Sequence, residues 1–219
     1  MKPVLHSLIL IILLSLLVAC GKEAIKGNGN IATQTRNLPT FERIKAEGAL
    51  NVLITVNEGQ SVSVRTDDNL QPYIITTVKN HTLDIGTKKD YRLTPTQPIQ
   101  LVISLPALRA VSLLGGISAK INGINDKYFG LYAAGNSQVV ALGEIEKASI
   151  SVAGTSLLDA QNLIAGEVNL DASGSGKAIV YVKNKLDVKI SGSGHVVYYG
   201  KPPIIHQAVF GAGKIEHAP

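Results

Sequence analysis

Five groups of residues have types and spacings that could do chemistry. Asp171 and Lys189, 18 residues apart in a repeated segment, are an acid and a base that one face of a fold could bring together. Cleavage of a polysaccharide by general acid–base catalysis asks for such groups, usually as paired carboxylates. His195, His206 and His217 are almost evenly spaced and would make a metal site if they converged. Gly174-Ser175-Gly176-Lys177 has the look of a phosphate-cradling loop. Asp67-Asp68-Asn69 offers oxygen ligands to calcium, and Cys20 is the only thiol in the chain.

Most of these candidates lose force once placed on the elements that must position them. Six glycines recur through the second half: Gly116, Gly135, Gly154, Gly174, Gly192 and Gly211, in steps of 19, 19, 20, 18 and 19 residues. Such self-similarity marks a solenoid of stacked repeats. Four and two residues before the glycines stand Leu131 and Ala133, Ile150 and Val152, Leu170 and Ala172, and Val188 and Ile190. The residues between them are mostly polar, so the period is two and the element is a strand with one buried face. A second apolar run follows each glycine, as in Val139 to Leu142 or Ala178 to Val182. Nineteen residues leave no room for a helical crossover, so equivalent strands must pair in parallel by coiling. The sequence predicts an all-β, single-stranded right-handed parallel β-helix with ~19-residue rungs, each reading strand, glycine bend, strand and short turn.

On that coil the outward column three residues before the glycine reads Leu113, Tyr132, Ser151, Asp171, Lys189 and Ala208. A second column, five after it, reads Ile121, Val140, Asp159, Ile179, Val197 and Glu216. Neither pairs carboxylates, and Asp171 with Lys189 reads as a surface ion pair worth less than about 1 kcal/mol. The histidines stand at +3, −5 and +6 from their nearest repeat glycines, in different columns, which argues against a metal. In the phosphate-loop candidate Asp171 occupies the place of the first glycine, Ala178 replaces the Ser/Thr, and no helix follows. Asp67-Asp68-Asn69 is expected to be a turn held by local side-chain-to-backbone bonds, opening the one stretch, to Ile74, with helical-turn character. The chain is therefore expected to have no catalytic residues, cofactor or metal.

The first half is strand-rich but irregular, with strands expected at Leu50 to Val56, Ser61 to Arg65, Tyr73 to Val78, Thr82 to Ile85 and Ile99 to Ile103. No linker separates two folding units, and about 200 residues is ordinary for a single all-β domain.

The N-terminus reads as an export signal: Lys2, an apolar Leu8 to Val18, then Leu17-Val18-Ala19-Cys20. Leu-Val-Ala-Cys resembles the bacterial lipobox, whose cysteine is lipidated and becomes the first residue of the mature protein. The alternative is an ordinary secretory signal with an incidental cysteine. Residues 1–19 are thus read as a lipoprotein signal peptide, 20–26 as a short tether and 27–219 as the β-helix domain. By Gram-negative sorting rules Gly21 after Cys20 implies an outer-membrane address, lipid-anchored and facing either the periplasm or the outside. The body beyond residue 19 carries 20 Lys+Arg against 16 Asp+Glu, scattered rather than clustered, which speaks against a nucleic-acid partner. Without tryptophan and with few aromatics, it is poorly equipped to stack on sugars.

Taken in order, Gly27 to Ile31 with Thr35-Arg36, Phe41-Glu42-Arg43-Ile44 to Gly48, and Val52-Leu53-Ile54 make a recognisable series. It continues through Ser61 to Val64, Asp68-Asn69-Leu70, Leu83-Asp84-Ile85, Pro98-Ile99 and Leu105-Pro106-Ala107-Leu108 into the Gly-Ser-Gly repeats. Over roughly residues 27–215 the chain resembles the head-GIN-domain family of autotransporter adhesins. That resemblance implies a right-handed β-helix and an adhesin-like surface role, and brings no catalytic residues with it. Gly115-Gly116-Ile117 and Ala153-Gly154-Thr155 depart from the family's Gly-Ser-Gly pattern. The expected function is a lipid-anchored envelope module that binds or supports without catalysis. Its partners would be the membrane through Cys20, and a second copy or a protein or glycan on the faces or ends of the β-helix. A polysaccharide lyase or hydrolase of the β-helix type, and a periplasmic accessory protein in envelope stress signalling, are the alternatives.

Overall fold

The structure, a computed structural model, describes residues 23–219. Cys20 and the signal peptide expected at 1–19 lie outside the described residues. Strands β1 (Glu23–Lys26), β2 (Ile31–Thr35), β3 (Arg43–Gly48), β4 (Asn51–Val56) and β5 (Ser61–Asp67) lead into a 3-10 turn at Asp68–Tyr73. Next come β6 (Ile74–Lys79), β7 (Thr82–Thr87), β8 (Tyr91–Thr94), β9 (Gln100–Leu105) and β10 (Ala110–Gly115). The repeats occupy four long strands, β11 (Ser118–Gly135), β12 (Gln138–Gly154), β13 (Leu157–Gly174) and β14 (Lys177–Gly192). β15 (His195–Tyr199), β16 (Ile204–Phe210) and β17 (Lys214–His217) complete the chain.

The fold is a parallel β-solenoid of about five turns. Its first face stacks β7, β3, β10, the last parts of β11 to β14, and β16, all parallel. Its second face stacks β9, β4, the first parts of β11 to β14, β15 and β17. The middles of β11 to β14 form a third, where Ile145, Ala165 and Val182 align. The expected short turn between second and first strands is replaced by continuous strand. The coil bends instead at shifts of register, as between Ile121 and Ile124 or Val140 and Gly143. Inward residues stack on their own kind: Ile44, Val111, Leu131, Ile150, Leu170 and Val188 form one buried column.

The glycine column differs from the expected set at its first member. Gly48, Gly115, Gly135, Gly154, Gly174 and Gly192 share one register position at the corner between first and second faces, with Gly211 next in line. Gly115, not Gly116, holds that place, and Gly48 adds a member from the first half. The requirement is steric: Gly174 has φ +96°, and a Cβ there would lie 2.5 Å from the Gly154 carbonyl oxygen. Gly116 has neither a positive φ nor any atom near its missing side chain.

Two residues past this column sits the inner corner: Leu50, Ile117, Ser137, Ser156, Gly176 and Gly194, all buried. The residue shrinks along the stack, and a Cβ on Gly176 would collide with the Ser156 carbonyl oxygen. The Ser137 hydroxyl donates to the Gly115 carbonyl oxygen at 3.0 Å, and the Ser137 N–H donates to Ser156 Oγ at 3.2 Å. The second glycine of Gly-Ser-Gly is thus required at Gly176, whereas the equivalent positions Ile117 and Ser156 hold buried side chains, which is where the motif departs.

The first half is a cap as well as a turn of the coil. β3 and β4 stack directly under β10 and β11, while the later β7 and β9 lie beneath β3 and β4. The chain therefore passes over its own first rung to reach β10. β5 pairs antiparallel with β9, β6 with β7 and β2 with β5, so the parallel stack ends there in antiparallel strands. Of the expected tether, Glu23–Lys26 is strand β1, paired parallel with β8.

Candidate interaction face

The outer surface of the second face, near the cap, carries two rows in register. Gln100, Asn51, Ser118 and Gln138 make an amide and hydroxyl row. Val102, Leu53, Lys120 and Val140 make the neighbouring one. Val102 is 49% exposed, Leu157 47%, Val140 39% and Leu53 38%. These side chains face outward because alternate residues of a strand point to opposite sides, and Val52, Leu101 and Val139 between them fill the core. A shallow depression runs between the two rows, lined by Leu53, Gln100, Val102, Lys120 and Val140. The patch combines apolar contact area, amide groups able to donate and accept, and the cations Lys120 and Arg65, the latter donating to the Gln100 side-chain oxygen at 3.4 Å.

The other candidates take different places. Asp171 and Lys189 are neighbours in register on the first face but form no ion pair. The Lys189 ammonium instead lies 5.7 Å from the centre of the Phe210 ring, so the expected surface pair is corrected to a cation–π contact. The outward column there holds Ser112 where Leu113 was expected, because the register glycine is Gly115; Leu113 is in the core. For the same reason Lys120 takes the place of Ile121, also a core residue, in the second column.

The three histidines do not converge. His206 lies 2.6 Å from Asp187, His195 3.2 Å from Glu216, and His217 2.8 Å from the Gly200 carbonyl oxygen while packing on Tyr198. Each ties the last turn of the coil to the turn before it. Lys185 and then His206 hold the Asp187 carboxyl below the usual carboxylate range, and Lys214 and then His195 do so for Glu216. Among the described residues no group of three or more His, Cys, Asp or Glu is placed to hold a metal ion. Gly174-Ser175-Gly176-Lys177 is a solenoid corner.

Asp67-Asp68-Asn69 is not held by local bonds as expected; it clasps the other end of the first half. The buried Asp67 carboxylate accepts from the Gly29 N–H at 2.8 Å, the Thr96 N–H at 3.0 Å and the Thr96 hydroxyl at 2.7 Å. Burial pushes its pKa up, but the Thr96 and Gly29 hydrogen bonds outweigh burial and hold it below the ordinary value. Asp68 accepts from the Asn28 amide, and the Asn69 amide donates to the Lys26 carbonyl oxygen. A Cβ on Gly27 would collide with the Asp67 carboxylate. Two Asn/Asp-rich segments, Gly27 to Asn30 and Asp67 to Asn69, stand in the sequence, but nothing in it says that they meet.

On the third face, Lys183 binds Glu144 at 2.7 Å and Lys147 binds Glu167 at 3.1 Å, fastening one turn to another. The hydrogen bond from Lys183 lowers the Glu144 pKa, and the one to Glu167 raises that of Lys147.

Over the described residues the chain is a capped parallel solenoid, a class of scaffold that offers long faces and two ends. Residues 40–202 match the family model described as "Putative auto-transporter adhesin, head GIN domain", and the chain belongs to that family. No curated protein matches the chain. Among solved structures, a "putative adhesin" from Bacteroides fragilis is similar with TM-score 0.72 at 21% identity, covering 89% of this chain and all of that one. Two proteins of Parabacteroides distasonis are similar over 90% of this chain and all of theirs. One is described as a "putative lipid binding protein" (TM-score 0.59, 23% identity) and the other as a "putative adhesin" (TM-score 0.60, 18% identity). At these identities the likeness is one of fold.

Proposed function

We propose that this chain is a lipid-anchored outer-membrane protein of a Gram-negative bacterium that holds a protein partner on its second face, an adhesin-like role without catalysis. The family's description supports the adhesin-like part. The observation that carries the binding part is the exposed patch of Leu53, Val102, Val140 and Leu157 beside the Asn51, Gln100, Ser118 and Gln138 row. Singly exposed aliphatics are ordinary, but a contiguous set flanked by amides is the make-up of a protein interface. The patch contains no aromatic ring, which favours a protein over a stacked sugar. Cys20 supplies the anchor in this reading, since its acyl chains exceed the two signals that stable membrane attachment needs.

Protease shaving of intact cells, blotted against a periplasmic control, tests the address. Loss of this protein with the control intact agrees with a surface adhesin; survival until the outer membrane is opened overturns it. Adherence of cells carrying Leu53→Asp with Val102→Asp tests the face. Both side chains point outward, but they are paired in register and two aspartates there repel, so an unchanged melting temperature is required beside lost adherence, and undiminished adherence by the double variant sinks the assignment. Cys20→Ser is expected to release the protein from the membrane fraction.

A further inference from the structure

The two ends of the solenoid are finished differently. β5 and β6 close the cap end, whereas β16 pairs with β14 on one side and with no strand on the other among the described residues. Its side chains are correspondingly open: Phe210 is 62% exposed, Ile204 47%, Val209 43% and Ile205 38%. Ile205 and Val209 continue the inward columns above Leu186 and Ile190, so they are the core of the coil meeting solvent. Free parallel edges are ordinarily guarded by lysine, proline or a bulge. Ile204 to Phe210 carries none of these and no Lys, Arg, Asp or Glu. The outer strands of the cap end are better protected: β2 presents Thr33, Gln34 and Thr35, and β6 ends in Lys79.

The apolar positions of the segment also read alike in both directions, the His206 and Ala208 pair being the exception. About Gln207, Ile204 mirrors Phe210 and Ile205 mirrors Val209, whereas His206 falls opposite Ala208. Laid antiparallel on a copy of itself about that residue, the strand would set aromatic against β-branched, aliphatic against aliphatic and amide against amide. Directly opposed residues in such a pair have Cβ atoms about 5 Å apart, close enough for these side chains to touch. A two-fold arrangement closes on itself and covers both free edges at once.

We propose that the occupant of this edge is a second copy of the chain, joined end to end through β16 antiparallel to β16 and centred on Gln207. The contact is independent of the partner proposed for the second face, and leaves that face open in both copies.

The test uses the full chain in mild detergent with Cys20→Ser, so that an introduced thiol is the only one. Gln207→Cys is expected to form a disulfide-linked dimer on mild oxidation, while Gln161→Cys, exposed halfway along the stack, is not. Sedimentation is expected to give a dimer for the otherwise unchanged chain and a monomer for Ile205→Lys with Val209→Lys. Should the lysine variant lose its last turn, the cysteine pair still decides the matter. A monomer at every concentration, equal cross-linking at both positions, or species larger than a dimer overturns the proposal.

Discussion

The repeat stack from Ala110 to Tyr199 and the cap from Ile31 to Leu105 bury their apolar strands in contrasting ways. In the stack each turn repeats the last, and the corners are met chiefly by backbone, with small hydroxyls such as Ser137 and Thr155 bonding to it: a glycine with positive φ lies on the carbonyl of the glycine beneath it. In the cap the chain reverses, and side chains do the fastening. Asp67 gathers residues 29 and 96, while the buried Gln71 amide donates to the Ala32 and Val64 carbonyls and its oxygen accepts from Arg36 at 2.8 Å. The stack thus depends on what a residue lacks, and the cap on what particular residues reach.

The sharpest break of that comparison is a side chain where none fits. Gly174→Val adds a strained φ and a clash with a carbonyl that is pinned between turns. The expected cost is about 3 kcal/mol or more, which in a chain of this size lowers Tm by roughly 10 °C. A melt within 2–3 °C of the parent would mean that the corner yields (roughly the shift of a 1 kcal/mol change) and that the column is not what fixes the stack.

Next in size is Asp67→Ala, which leaves the Gly29 and Thr96 donors without their acceptor while touching no stacked turn. Tm is expected to fall by about 5 °C, with faster amide exchange in β2 and around Thr96 and unchanged exchange in β12 and β13. Equal loosening of β12 would show that cap and stack melt as one unit, erasing the distinction.

The same contrast explains what could be read in advance. Periodicity survives in a sequence wherever the structure repeats, so the parallel coil, its strands and five of the six expected glycines were legible from Leu131, Ile150, Leu170 and Val188 and their neighbours. Gly116 was mistaken because two adjacent glycines fit the spacing equally well, and only the backbone conformation separates them. The cap was legible as strands but not as a cap. Nothing periodic in Thr82 to Ile85 or Gln100 to Ile103 tells that they lie beneath Arg43 to Val56. Asp67 looked like a turn residue because its partners, 29 and 38 residues away, leave no local mark. The outer patch was hidden for another reason: Leu53 and Val102 belong to strands whose pairing through the cap could not be foreseen.

Acid should act on the two ends alike and so sharpen the comparison from another side. At the ends Asp67, Asp187 and Glu216 have folded pKa values below their ordinary ones; mid-stack Glu144 does too, but through an exposed pair with Lys183 of the kind that contributes little to stability. A depressed carboxylate stabilises the fold above its unfolded pKa of about 4, and that contribution is lost as pH falls through the lower folded value. Between pH 7 and about 5 these contacts are therefore expected to hold. Below about pH 4 the latch at Gly29 and the last turn at β16 and β17 are expected to open first. Hydrogen exchange at pH 7 and pH 3 (bracketing the carboxylate range), corrected for intrinsic rates, should show protection lost at both ends while Ile150 and Leu170 keep theirs. Uniform loss along the coil would contradict this.

The smallest effect tests the register itself. Gly115 and Gly116 are adjacent and identical in composition, yet only Gly115 has positive φ, and a Cβ on it would lie 2.7 Å from the Gly48 carbonyl oxygen. Gly115→Ala is expected to cost about 2 kcal/mol through strain and clash. Gly116→Ala meets open space and restricts the unfolded chain, so its effect should stay within about 0.5 kcal/mol and lean towards stabilisation. If the two variants melted in the opposite order, the corner would belong to the 116 column. Gly48, 67 residues away in sequence but one turn of the coil, would then have no partner in the stack.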